Sequence, residues 1–201
     1  MPRPKTLSQV IARQHGVISL PQAAGFGVTM SAVRYRTRSG GPWQRIFPGV
    51  YLTVSGTPTV DQLDMAALLY AGRPSMITGA AALRRYGIGG QESGSAVDVL
   101  VSVANKVASR GYVRIHRTSR IPPTSFVEGE IDLVPPPRAV IDAALMLTST
   151  RELRALLADA ALRRRCTIQQ LEEELGTSRL RNSAQVRAVL AEVRTGTQSA
   201  P

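Results

Sequence analysis

At 201 residues and 43% hydrophobic composition, the chain has room for one large domain or two small ones and is not composed like a disordered protein. A single cysteine, Cys166, excludes an intramolecular disulfide and a multi-thiolate metal site, and two histidines, His15 and His116, cannot build a His-rich zinc site. A net charge of +11, from 25 Lys and Arg against 14 Asp and Glu, makes nucleic acid the commonest partner to expect, ahead of a membrane surface or an acidic protein.

The charge is unevenly placed. Asp61 is the first acidic residue, and Arg3, Lys5, Arg13, Arg34, Arg36, Arg38 and Arg45 precede it unopposed. Aromatics make up only 4% of the chain, which argues against a stacking platform for single strands and leaves duplex DNA as the expected target. No apolar run approaches the roughly 20 residues that cross a bilayer. Met1-Pro2-Arg3-Pro4-Lys5 does not lead into the apolar core of a signal peptide, so the expected location is the cytoplasm, with no membrane contact.

In chain order, Thr6 caps a short helix to Gln14 with Leu7, Val10 and Ile11 on one stripe, and Gly16 ends it. Val17-Ile18 is an apolar step. Ser19 caps a second helix with Pro21 in its first turn, broken at Gly25. Thr29 caps a third, Met30 to Thr37. Short helix, Gly-containing turn and Arg-rich helix have the size and punctuation of a helix-turn-helix. On the third helix Met30, Val33 and Thr37 form the expected inward face, while Ser31, Arg34, Tyr35 and Arg38 form the outward one. Guanidinium forks and hydroxyls along one face suit base edges and phosphates in a major groove. Trp43 to Leu52 reads as two strands around Pro48-Gly49, a wing from which Arg45 reaches a flanking phosphate. Trp43 and Tyr51 are expected in the core.

Beyond the Ser55-Gly56-Thr57-Pro58 linker the composition changes. Thr59 to Ala71 reads as an amphipathic helix with Leu63, Ala66, Ala67 and Tyr70 on its apolar stripe. Thr78 caps another, Gly79 to Tyr86. Strands are expected at 96–103, 112–116 and 131–134. The triple proline at 135–137 opens a helix reaching Leu147, and helices at 151–164, 167–175 and 183–193 follow. The fold class is therefore α+β: an N-terminal winged helix-turn-helix over 1–57, a mixed helix and small-sheet domain over 58–195 with a helical C-terminus, and a tail at 196–201.

These residues resemble the AbiEi antitoxins of type IV toxin–antitoxin systems. Gly16-Val17-Ile18-Ser19 is followed by the Arg-rich helix and then by Gly41-Pro42-Trp43-Gln44-Arg45-Ile46-Phe47-Pro48-Gly49-Val50-Tyr51-Leu52. There Trp43, Arg45, Ile46, Gly49, Val50 and Tyr51 match the family's G-x-W-x-R-(I/V)-x-x-G-V-Y. Ile77 to Leu83 and Pro137 to Ala144 resemble two downstream helices. The resemblance implies a repressor of its own operon's promoter that also counters a nucleotidyltransferase-like toxin, without requiring a stable complex with it. Some relatives continue into a Vsr-like nuclease domain after a segment similar to Arg187 to Pro201, where this chain stops.

No enzyme is expected. A nuclease needs clustered acids and a lysine. Asp98 and Lys106 lack a Glu-x-Lys neighbour, and Glu128, Glu130 and Asp132 have no lysine nearby. His116, between Arg114 and Arg117, shows no acid partner in the sequence. Cys166 follows three arginines but reads as an inert thiol, and Arg84-Arg85 and Arg163-Arg164-Arg165 read as solvated helix ends. The expected DNA-contacting set is Lys5, Arg13, Thr29, Ser31, Arg34, Tyr35, Arg36, Arg38 and Arg45, with no cofactor and no metal. Binding is expected as a monomer or a dimer on DNA. A protein that binds the toxin directly, a DNA-targeting accessory or remnant of a nuclease, and a transcription factor unrelated to any toxin remain open.

Overall fold

In the computed structural model, which describes residues 6–89, 96–122, 126–128, 130–176 and 183–198, the chain opens with α1 (Leu7–Arg13), β1 (Val17–Ser19), α2 (Leu20–Gly25) and α3 (Met30–Arg36). At Thr6, Ser19 and Thr29 the caps do what their spacing predicts, whereas Thr78, also expected as a cap, makes no side-chain cap hydrogen bond and donates its hydroxyl to Asp142. The hydroxyls of Thr6, Ser19 and Thr29 accept from the third backbone N–H beyond each, and Ser19 with Gln22 completes a capping box. Thr37 ends α3 and donates its hydroxyl back to the Val33 carbonyl at 3.0 Å.

Two strands follow, β2 (Gln44–Phe47) and β3 (Val50–Leu52), joined by Pro48-Gly49 with Gly49 at φ +74°, a conformation glycine adopts without a Cβ clash. Val17-Ile18, read above as an apolar step, is a strand. Val17 stands opposite Leu52 and Ile18 opposite Tyr51, completing an antiparallel sheet of order β1-β3-β2. Both faces of this sheet are covered, and strand alternation sends neighbours to different cores. Ile18 and Tyr51 join Val10, Ala23, Val33 and Trp43 beneath α1–α3, whereas Val17, Val50 and Leu52 enter the larger core of the molecule.

That second face lies against α4 (Val60–Ala71), which on its other side packs on a five-stranded sheet. The strands are β4 (Ser75–Thr78), β5 (Val97–Ser102), β6 (Val113–Thr118), β7 (Phe126–Glu128) and β8 (Ile131–Leu133), in the order β6-β5-β4-β8-β7. β4 and β7 were not legible as strands. β4 is four residues long and draws its pairing from β5 and β8, both remote in sequence. The single stripe expected for the helix at 59–71 is also corrected. Asp64 to Leu68 are buried without a break, because sheets cover the helix from two sides.

The opposite face of the large sheet carries α6 (Pro136–Ala144), packed along α5 (Gly79–Tyr86). Behind it come α7 (Thr150–Leu162), α8 (Ile168–Gly176) and α9 (Ser183–Gln198), the last extending past the expected end at Val193. The architecture is mixed α/β, with nine helices and two small sheets among the described residues. No described helix is long and apolar enough to cross a membrane.

Burial of α4 traps a carboxylate. Asp64 has 0% exposure, and Arg85 of α5 donates to its Oδ2 at 2.8 Å while also holding Asp61 at 2.7 Å. Arg85 is thus a buried structural cation, not the solvated helix end its position suggested. Burial pushes the Asp64 carboxyl above its ordinary range, and the Arg85 guanidinium pulls it back.

Two outcomes follow from this packing. Leu52→Ala is expected to cost about 2–5 kcal/mol and to weaken both cores in one urea transition; separate transitions would show that the α1–α3 unit unfolds independently. A carboxyl whose pKa folding raises binds its proton more tightly when folded, so its ionisation weakens the fold as pH rises through that interval. Arg85→Ala removes the compensating charge, with an expected loss of about 3–5 kcal/mol at neutral pH. Urea titrations at neutral and mildly acidic pH should show part of that loss recovered on acidification.

Candidate nucleic-acid interface

α3 is positioned by one buried side chain, Val33, set between α1, α2 and the small sheet. That anchoring turns Ser31, Arg34, Tyr35 and Arg38 outward, and all four are exposed. The Arg38 guanidinium lies 3.9 Å from the Tyr35 ring centroid and donates to its hydroxyl at 3.2 Å, so the two form one preorganised exposed unit. Tyr35, at 61% exposure, does not pack under the β2–β3 turn. Met30 differs from its expected inward place: it is 47% exposed, because the first turn of α3 projects past the small core. Phe26 and Met30 therefore add apolar surface beside the cationic face.

The remaining candidates separate by environment. Arg36 is half-buried with its guanidinium 5.2 Å from the Trp43 ring centroid, and its Nη1 is buried without a hydrogen-bond partner among the described residues. It faces the core side of α3, not the exposed one, because residue 36 falls off the 31–34–35–38 face. Thr29 spends its hydroxyl on the cap and on Ser31 Oγ at 3.0 Å. Arg45 is exposed on β2. Arg13, in the last turn of α1, is half-buried and already engaged within the fold. Lys5 lies outside the described residues. Trp43 and Tyr51 sit in the core with ring centroids 6.2 Å apart.

A second polar feature lies on the α6 side of the large sheet, in a cleft of about 560 Å³. His116 there does have an acid partner: its Nε2 is 2.7 Å from Oδ1 of buried Asp98. Strand register creates the pair, since the parallel β5–β6 pairing sets Leu100 opposite His116 and Asp98 diagonally beside it on the same face. Nearby, Asp142 Oδ2 accepts from the Thr78 hydroxyl at 2.6 Å and Oδ1 from Arg138 Nε at 2.8 Å. Eighteen residues separate Asp98 from His116, and only the register of a parallel pair, which periodicity does not encode, joins them.

No cluster of three or more His, Cys, Asp or Glu able to hold a metal occurs among the described residues. Cys166 is buried, and burial pushes its thiol up to about 11, so the preceding arginines do not activate it.

No protein-family model and no curated protein matches the chain. Among solved structures it is similar to the crystal structure of the RV2827C protein from Mycobacterium tuberculosis. The likeness covers 94% of this chain and 78% of that one, at a TM-score of 0.55 and 18% identity, and it is a likeness of fold.

The contrast between Arg36 and its neighbours is testable. Arg36→Ala is expected to cost about 0.5–1 kcal/mol of stability through the lost contact with Trp43. Thermal melts would register it, whereas Arg34→Ala should leave the melting temperature in place.

Proposed function

We propose that the chain is a DNA-binding autorepressor, with α1-β1-α2-α3-β2-β3 as a winged helix-turn-helix and α3 as its recognition helix. The observation that carries this reading is the outward face of α3. Arg34 and Arg38 are exposed there and pair with no carboxylate among the described residues, in a stretch of 60 residues that contains no acid at all. Elsewhere the acids are consumed internally, as in Asp64–Arg85, Asp142–Arg138 and Asp159–Arg163. In this reading Ser31, Arg34, Tyr35 and Arg38 face the groove, Arg45 holds a flanking phosphate from the β2–β3 wing, and Lys5 neutralises a phosphate at the N-terminal end. Arg36 supports the helix from behind.

The resemblance to AbiEi antitoxins extends the proposal: the protein represses a toxin–antitoxin operon in the cytoplasm and counters a nucleotidyltransferase-like toxin as a binding protein, not an enzyme. Two features support that extension. The downstream segments that carry the resemblance, Ile77–Leu83 and Pro137–Ala144, fall at β4–α5 and on α6, and α5 and α6 pack directly on one another.

Titration of the promoter upstream of the protein's own gene against random duplex, at several salt concentrations, tests the repressor reading. Arg34→Ala/Arg38→Ala is expected to lose promoter selectivity by about 1–3 kcal/mol per lost base contact. Equal affinity of the unaltered protein for both duplexes would reduce the basic face to an electrostatic footprint.

A further inference from the structure

The parallel strands β5 and β6 are joined without a helix. Only residues 103–112 connect them, fewer than the dozen or more that such crossovers usually take. This irregular segment is pinned along its length. Asn105 Nδ2 donates to the Ala71 carbonyl at 2.8 Å, the Tyr70 hydroxyl to the Ala108 carbonyl at 2.9 Å, and the Tyr112 hydroxyl to the Leu63 carbonyl at 3.0 Å. Arg117 reaches back to the carbonyls of Asn105 and Val107. The crossover is thereby fastened to α4, the helix that also supports the small sheet. Its far end meets β2: the Phe47 ring lies 5.1 Å from the Tyr112 ring, and a Cβ on Gly111 would stand 3.5 Å from Phe47.

The crossover and the edge strand after it are strongly basic. Residues 99–127 contain no acid, and within them stand Lys106, Arg110, Arg114, Arg117 and Arg120. Arg117 is spent on the crossover itself and Arg120 on Glu174. Lys106, Arg110 and Arg114 are exposed, and none has an ion-pair partner among the described residues. Cations on an edge strand also discourage edge-to-edge pairing. That role needs no pinned crossover and no placement beside β2, the strand that carries Arg45.

We propose that Lys106, Arg110 and Arg114 form a second phosphate-contacting surface, which carries duplex DNA beyond the footprint of α3 and the β2–β3 turn. The inference rests on the DNA-binding reading above. Duplex phosphate fits because the crossover that carries Lys106 and Arg110 is held by hydrogen bonds and ends against Phe47 of β2, and because the aromatics there do not offer themselves to unpaired bases: Tyr70 and Tyr112 are tied into the packing with Phe47. Contacts of this kind carry no sequence information and act on promoter and random DNA alike.

The test is the dependence of binding on salt for a random duplex longer than the α3 footprint. Each phosphate neutralised contributes a slope of about −0.9 in log K against log salt. Lys106→Gln/Arg110→Gln/Arg114→Gln is expected to make the slope shallower by about two to three, with promoter selectivity intact. Arg110→Lys/Arg114→Lys keeps the charge and should keep the slope, which separates phosphate contact from a folding defect. A triple variant with the unaltered slope, alongside an Arg34→Ala/Arg38→Ala variant that loses binding, overturns the second surface and leaves the recognition helix standing. Absence of duplex binding by the unaltered protein overturns both. A loss confined to single-stranded RNA, with duplex binding intact, overturns the proposal in favour of an RNA surface.

Discussion

The molecule is organised by the burial of α4 on two sides. One side takes Val17, Val50 and Leu52 from the small sheet, and the other takes the Ser75–Ile77 face of the large one. Between Asp64 and Leu68 the helix has no solvent face, and Asp64 is buried with it. The Arg85 guanidinium makes that tolerable, since an isolated carboxylate in the interior would be strongly unfavourable. One ion pair thus joins α4 to α5 and lets a single helix serve as the shared wall of two sheets.

Everything proposed for DNA binding inherits its placement from that wall. The small sheet is too short to form a stable unit on one face alone. Its alternation gives Tyr51 and Ile18 to the α1–α3 core and their neighbours to the α4 side, so α3 stands in a fixed relation to the body. The β5–β6 crossover is tied to the same helix by three hydrogen bonds from Asn105, Tyr70 and Tyr112. Gly111 and Tyr112, far from β2 in sequence, are thereby brought against Phe47 of that strand.

The electrostatics are segregated in the same way. Asp64, Asp142 and Asp159 are bound by arginines and Asp98 by His116, whereas the exposed Arg34, Arg38, Arg45, Lys106 and Arg110 have no carboxylate partner among the described residues. The polar cleft beneath α6 is balanced internally, with Thr78 and Arg138 on Asp142 and His116 on Asp98. The positive field is thus left on exposed surface.

Local chemistry was legible wherever it acts within a few residues. The caps at Thr6, Ser19, Thr29 and Thr59, the Pro48-Gly49 turn, the buried Trp43 and Tyr51, and the outward Ser31-Arg34-Tyr35-Arg38 face all follow from i+3 hydrogen bonds, turn geometry and helical period. What depends on remote partners was not legible. β1 and β4 exist because of partners 20 to 56 residues away, which their own three or four residues do not announce. The burial of Arg85, the turn of Arg36 onto Trp43, the pairing of His116 with Asp98 and the arrival of Gly111 and Tyr112 against Phe47 were likewise decided by tertiary packing. Period and capping record which face a residue takes; register and the second layer determine what meets it there.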